Sequence, residues 1–236
     1  MKELDVYIGY DPKESIAWHV LVQSLMQTTS MPLSIKPVNL RNYLSIYSRE
    51  QDTRQSNEFS FSRFLVPYLK NYTGHALFMD CDMLVRSDIR EIFNSAIDQE
   101  EKAVHVVKHD YTPANDVKYL GQKQYAYPRK NWSSVVLWNC NHPKNKLVDL
   151  DFVNSATGAE LHRFSWLTDD EIGELDLEWN WLVGEYDVTQ FNKHVKNVHW
   201  TVGGPYFNEY ADADFANEWF GMKKIMMKCE QLGENE

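Results

Sequence analysis

The sequence predicts an α/β domain, and three observations carry that prediction. A short apolar strand opens the chain and passes through a tight polar loop into a helix with apolar residues at helical spacing. A second apolar run of strand length stops abruptly at the acidic turn Asp80-Cys81-Asp82. Two further apolar runs of strand length follow, separated by a long polar stretch.

Taken in order, Leu4 to Ile8 reads as a buried strand ending at Gly9, followed by the turn-forming Tyr10-Asp11-Pro12-Lys13. Glu14 to Met26 carries Ile16, Val20, Leu21 and Leu25 on one helical side. Leu33 to Val38 is a second strand in which Pro37 removes one ladder donor. Phe59 to Leu69 has the apolar side of a helix in Phe61, Phe64 and Leu65, with Pro67 set to bend or end it. Gly74 then breaks the chain before the run His75-Ala76-Leu77-Phe78-Met79. Met83 to Ile92 continues with Val85, Ile89 and Ile92 between charges.

Ala103 to Val107 and Ser134 to Asn139 are further strands. Between them, Asp110 to Lys130 is rich in Tyr, Lys and Gln and reads as a surface insertion. Leu167 to Asp187 and Val198 to Tyr210 complete the domain, the second marked by Gly203-Gly204-Pro205. Residues 1–210 are expected to form one domain. Residues 211–236 are expected to be a polar, partly helical tail that docks through Phe215, Trp219, Phe220, Ile225 and Met226.

Composition narrows the partners. With 34 acidic against 24 basic residues the net charge is −10, a field that repels nucleic-acid backbones and anionic membranes. A small anionic ligand remains compatible if a metal ion supplies positive charge locally. Eight Trp and thirteen Tyr exceed what core filling needs and suit a groove that covers sugar faces or bases. Cys81, Cys140 and Cys229 form no paired framework, and no apolar signal core or transmembrane run is present. The expectation is therefore a cytoplasmic protein without a transmembrane segment and without a nucleic-acid partner. Its oligomeric state is left open.

Asp80 and Asp82 flank one residue at the end of a buried strand, where ligands gather in open α/β sheets. In extended backbone the side chains of residues i and i+2 point the same way, so both carboxylates can approach one ion. Hard oxygen ligands favour Mg²⁺ or Mn²⁺. Spacing alone also admits a solvated turn. Cys81 would then point away from the pair and serve packing.

The surrounding residues carry a resemblance. Phe61-Ser62-Arg63-Phe64, then Ala76-Leu77-Phe78-Met79-Asp80-Cys81-Asp82-Met83-Leu84-Val85, then Asp88-Ile89-Arg90-Glu91-Ile92-Phe93 resembles glycosyltransferase family 8, the glycogenin-like and lipopolysaccharide galactosyltransferase-like enzymes. That resemblance implies a GT-A fold, a Rossmann-like nucleotide-binding mixed sheet flanked by helices, and transfer with retention of anomeric configuration. It implies a nucleotide-sugar donor, UDP-hexose, and a saccharide or lipid-linked hydroxyl acceptor.

By position, Val198-His199-Trp200-Thr201-Val202-Gly203-Gly204-Pro205-Tyr206 matches the family's C-terminal motif. His199 would be the third metal ligand beside Asp80 and Asp82, favouring Mn²⁺ over Mg²⁺, and Gly204 would face the diphosphate. Ile8, Gly9, Tyr10 and Asp11 would hold the base, Arg63 and the Asp80-Cys81-Asp82 turn the diphosphate. Asp169 and Asp170 stand where the family has Asp followed by Gln facing the donor sugar. The other reading of that stretch is a Thr168 cap with acids in the first helical turn.

Two departures are present. Trp132-Ser133-Ser134 replaces an Asn-small-Gly segment, and Gly204 stands where a Lys is usual. His19 reads as a core or boundary residue of its helix, and His75, His105, His109 and His162 have no ligand spacing. Two other functions compete with transfer: a non-catalytic carbohydrate-binding or scaffold domain on the same fold, and a sugar-phosphate nucleotidyltransferase. The absence of a Gly-rich basic loop for a triphosphate argues against the latter.

Overall fold

The structure is a computed structural model that describes residues 2–50, 55–110, 128–187, 189 and 194–228. Most of the expected 110–130 insertion, Cys229 and the end of the tail lie outside the described residues.

A six-stranded sheet has the order β2-β1-β3-β6-β5-β7. Its strands are β1 (Leu4–Tyr10), β2 (Leu33–Asn39), β3 (His75–Met79), β5 (Val104–Val107), β6 (Val135–Asn139) and β7 (Ile172–Leu175). β6 runs antiparallel to both β3 and β5, while the other pairings are parallel. All five residues of β6 and all four of β5 are buried, the pattern of strands covered on both faces. A smaller sheet joins β4 (Met83–Val85), β9 (Asn197–His199) and β8 (Trp181–Leu182).

Helix α1 (Ser15–Thr28) connects the two sheets. Leu21 and Leu25 enter the large core with Val6, Ile8, Leu77 and Phe78, whereas Val20 enters a second core with Leu84, Trp181, Val198, Trp200 and Trp219. Between these faces Ser24 Oγ accepts the Val85 N–H at 3.1 Å and so ties α1 to β4. The turn before α1 is set by Asp11, whose carboxylate accepts from the Lys13 N–H, and by Pro12 in the first position.

Some expected elements change form. Phe59 to Leu69 is not one helix: a 3-10 turn, Ser62–Leu65, leads into the single turn α2 (Val66–Leu69). Pro67 has no N–H to donate to residue 63, so a continuous α-ladder cannot form there. Met83 to Ile92 divides into β4 and α3 (Arg90–Ser95). Two short helices follow β6, α4 (Leu150–Ser155) and α5 (Gly158–His162). His19 is exposed on α1 and is not a core residue. The last helix, α6 (Ala216–Met226), inserts Trp219 into the second core and leaves Phe220 and Ile225 exposed. Among the described residues, no helix is long and apolar enough to cross a membrane.

Candidate metal and donor site

The acidic turn follows β3 directly. Its backbone is fixed from both sides: the Asp80 N–H donates to the Ser134 carbonyl, and the Asp82 carbonyl accepts from the Trp200 N–H. The pairing of β4 with β9 sets Met83 opposite His199. This brings a residue 117 positions later in the chain to the turn, and Asp80, Asp82 and His199 offer ligand atoms that all lie within 4.8 Å of one another.

The tautomer of His199 follows from its neighbours. Asn180 is fully buried. Its Nδ2 donates to Ser134 Oγ at 2.8 Å and to the Asn131 carbonyl at 3.3 Å, which assigns its Oδ1 to the side facing His199 Nδ1 at 2.8 Å. An amide oxygen only accepts, so Nδ1 carries a proton, and Nε2 is the ring atom turned to the acidic turn. Nε2 lies 3.3 Å from Asp82 Oδ1, and in the tautomer with one ring proton on Nδ1 it offers a lone pair there. Two acceptors held face to face repel unless a cation or a second proton lies between them. The donor set therefore fits a divalent cation, with Asn180 in the orienting position behind the imidazole.

Arg63 forms the next contact. It is 5% exposed, and its Nη1 is 2.7 Å from Asp80 Oδ1 and donates to the Ser133 carbonyl at 3.0 Å. Its guanidinium also lies 5.2 Å from the Phe59 and Phe78 ring centres. A carboxylate accepts at both oxygens, so this ion pair leaves Asp80 able to ligate.

Behind the turn sits a carboxyl that sequence reasoning passed over. Glu14 is 2% exposed, accepts the Tyr206 hydroxyl at 2.8 Å, and has Cys81 Sγ 3.8 Å from its other oxygen. Burial first, then the charge of Asp82, pushes the Glu14 carboxyl up to about 8. Burial also pushes the Cys81 thiol well above its ordinary range, so Cys81 is a packed, protonated residue.

The cavity in front of the turn has a volume of about 500 Å³. It is lined by Asp80, Asp82, His199, Thr201 and Arg63, by Ser133 and Ser134, by residues 55–57 with Ser60 and Phe61, and by Thr157, Gly158, Ala159, His162 and Arg163.

Several expected site residues lie elsewhere. Ile8, Gly9, Tyr10 and Asp11 do not line the cavity. Gly9 lies under Phe59, whose ring would be 2.2 Å from an added Cβ, and the Asp11 oxygens accept N–H groups of Lys13 at 2.9 Å and Glu58 at 3.0 Å. A segment distant in sequence thus covers this loop. Gly204 is also outside the lining, packed against the Tyr206 ring.

Asp169 and Asp170 are exposed and outside the lining. Asp169 pairs with Arg129. The Asp170 carbonyl accepts from Lys102 Nζ, and the neighbouring Glu171 carboxylate caps Thr168. The Glu171 carbonyl accepts the Ala103 N–H, which places this segment where β5 and β7 begin, not at their carboxyl ends. The helix facing the cavity is α5 instead, led by Thr157 and Gly158. His162, which has no ligand spacing in sequence, belongs to the cavity, as do Thr157 and Ser60. The only sequence signal for this part of the lining is the capping pattern Thr157-x-x-Glu160.

Several solved structures resemble this one in fold. The bifunctional glycosyltransferase WbbM in its apo form matches with a TM-score of 0.66 and 14% identity over 94% of this chain and 50% of that one. GlyE of Streptococcus pneumoniae TIGR4 matches at 0.62 and 14% identity over 94% of this chain and 60% of that one. The chain therefore spans half to three fifths of those two proteins. The galactosyltransferase LgtC, solved with donor and acceptor sugar analogues, matches at 0.62 and 12% identity over 97% and 98% of the two chains. These likenesses establish the GT-A fold that the acidic turn and the mixed sheet suggested. No family model matches the chain. Protein CDI of Arabidopsis thaliana is 45% identical over 223 residues, covering 92% of this chain and 85% of that protein, and the chain belongs to its family.

Proposed function

We propose that the chain is a metal-dependent glycosyltransferase that moves a hexose from a nucleotide-sugar donor, UDP-hexose, to a saccharide or other hydroxyl acceptor. The observation that carries this reading is the convergence of Asp80, Asp82 and His199, with His199 Nε2 3.3 Å from Asp82 Oδ1, in the lining of a cavity that also presents several hydroxyls. LgtC, with the same fold, has been solved with donor and acceptor sugar analogues.

Asp80, Asp82 and His199 would hold Mn²⁺, since an imidazole ligand suits Mn²⁺ better than Mg²⁺. When bound, that ion neutralises the diphosphate and stabilises the charge that grows on it as the glycosyl bond breaks. Arg63 adds positive charge beside Asp80 and is braced against the Ser133 carbonyl, so its fork is preorganised. Asn180 holds the His199 tautomer. Among the described residues, the only carboxylates lining the cavity are Asp80 and Asp82. Retention would then proceed by acceptor attack on the face from which the diphosphate leaves, with no carboxylate nucleophile; Asp169 and Asp170 have no part in this reading. The buried free thiols of Cys81 and Cys140 agree with a reducing, cytoplasmic setting.

The test is calorimetric titration with UDP and UDP-hexoses, with and without Mn²⁺, on the unmutated chain and on Asp80→Asn and Asp82→Asn. Binding that needs Mn²⁺ and is lost in both variants is expected. Metal-independent binding unaffected by either substitution would remove the metal assignment. An initial product with β configuration from an α-linked donor, read by NMR, would reject retention.

A further inference from the structure

We propose that a second cavity, beside the one that holds the acidic turn, binds an anionic saccharide through Arg41 and Arg49. It has a volume of about 160 Å³ and lies at the carboxyl end of β2, where ligands gather in open α/β sheets. That is the space of about five water molecules, too little for a nucleotide and enough for an acid group with part of the ring that carries it. Arg41 follows directly on the strand, where its N–H donates to Asn39 Oδ1 at 3.1 Å. Arg49 is half-buried and held on two sides. Its guanidinium lies 4.0 Å from the Phe61 ring centre, and its Nη1 donates to the Val153 carbonyl at 2.9 Å. Stacking and one hydrogen bond orient the planar fork and leave its other N–H groups for a ligand.

The charge of this lining runs against that of the chain. With 34 acidic residues against 24 basic ones, a cation beside an acid is the ordinary case. Yet neither Arg41 nor Arg49 forms an ion pair among the described residues, although both line the same cavity. Two guanidinium groups around one space repel each other, and an oxyanion between them removes that cost and accepts charge-assisted hydrogen bonds. Tyr47 adds a hydroxyl that makes no hydrogen bond among the described residues, on a side chain otherwise buried. Glu58 is the one carboxylate of the lining among the described residues. It accepts from ligand hydroxyls and repels a second acid group. Leu40 and Leu44 supply an apolar wall. One acid group, several hydroxyls and a compact apolar face together describe a monosaccharide that carries a carboxylate or a phosphate ester.

The test is calorimetric titration of the full chain, without metal or nucleotide, with glucuronate, glucose 6-phosphate, glucose and inorganic phosphate. At least one of the two acidic sugars is expected to bind roughly tenfold tighter than both glucose and phosphate, and the one that does identifies the acid group. Arg41→Ala and Arg49→Met should each weaken that binding roughly tenfold, the loss of one charged hydrogen bond. Arg41 is exposed, so its substitution carries the test even if Arg49→Met, which also strips the Val153 carbonyl of its donor, fails to fold. Binding of neither acidic sugar, equal binding of glucose or phosphate, or binding that Arg41→Ala leaves unchanged overturns the proposal. Neither metal nor UDP enters the titration, so its outcome stands apart from that of the transfer reading.

Discussion

Replacing Glu14 with Gln should stabilise the metal-free protein, increasingly so as the pH rises. The Glu14 carboxyl ordinarily titrates at 4.5, but burial and then Asp82 push it up to about 8 in the folded chain, against the pull of the Tyr206 hydroxyl. A raised carboxyl means that, between those two values, the folded protein keeps a proton that the unfolded chain has released. The folded state is then disfavoured by about 1.4 kcal/mol for each pH unit climbed. The contribution of Glu14 to stability is thus greatest below 4.5, falls through the window and levels off above 8. Across the window the loss approaches about 4 to 5 kcal/mol as an upper bound, since relaxation of the site reduces it. The amide of Glu14→Gln can still accept the Tyr206 hydroxyl but has no proton to lose. At this chain length one kcal/mol moves Tm by about 2 to 4 °C, so near pH 8 the variant should melt roughly 10 °C higher. The assay is calorimetric melting in EDTA from pH 4.5 to 8.5, comparing the two proteins at each pH. Parallel profiles, or a variant that melts lower at pH 8, would refute the reasoning. Added Mn²⁺ should narrow the difference, because a cation beside Asp82 offsets the repulsion that raises Glu14.

Three other substitutions test separate contacts. Asn180→Ala removes the acceptor that fixes the His199 tautomer and should weaken Mn²⁺ binding about 10- to 100-fold, read by calorimetry on the chain without donor. Arg63→Met leaves Asp80 buried beside Asp82 without its cation and should cost about 3 to 5 kcal/mol in urea unfolding without metal, a cost that Mn²⁺ partly restores. Gly173→Ala would set a Cβ 2.3 Å from the buried His105 ring, and the forced shift should cost about 1 to 3 kcal/mol, measured by denaturant midpoint.

Much of the fold is legible in the chain because its strands are dense apolar runs with abrupt ends. His75–Met79 and Val135–Asn139 pair directly and show this plainly. Their antiparallel relation is not legible, since burial on both faces leaves the same unbroken apolar pattern in either direction. β8 and β9 span two and three residues, too few for a period to register. The helix expected at 59–69 fails at Pro67, where removal of one donor outweighs an apolar spacing that is otherwise helical. Trp219, in the last helix, fills a core begun by Val20 in α1, a relation that no local pattern contains.

The site divides along the same line. The acidic pair is legible because its two members sit two residues apart at the end of a buried strand, and His199 because a sequence motif accompanies it. Asn180 joins His199 and Ser134, and Ser133 joins His162, only through the tertiary fold, by bonds that span 19 to 46 residues. The chain also contains two near-identical capping patterns, Thr157-x-x-Glu160 and Thr168-x-x-Glu171, and each carboxylate accepts its own threonine N–H. Local physics treats the two alike, since each cap satisfies the start of a helical turn. Acidic residues follow Thr168, which draws attention to the second pattern, whereas Gly158 and Ala159 follow Thr157 and draw none. Sheet order reverses that ranking. The second pattern leads into β7 at the beginning of a strand parallel to β5, so its acids stand where the parallel strands start. The first leads into α5, packed beside Phe61 and Ser133 where β3 ends and β6 begins, and β3 ends at the metal ligands. The helix that lines the cavity is therefore one with a small, uncharged start that carries His162, and Asp80 and Asp82 are the only carboxylates of the lining among the described residues.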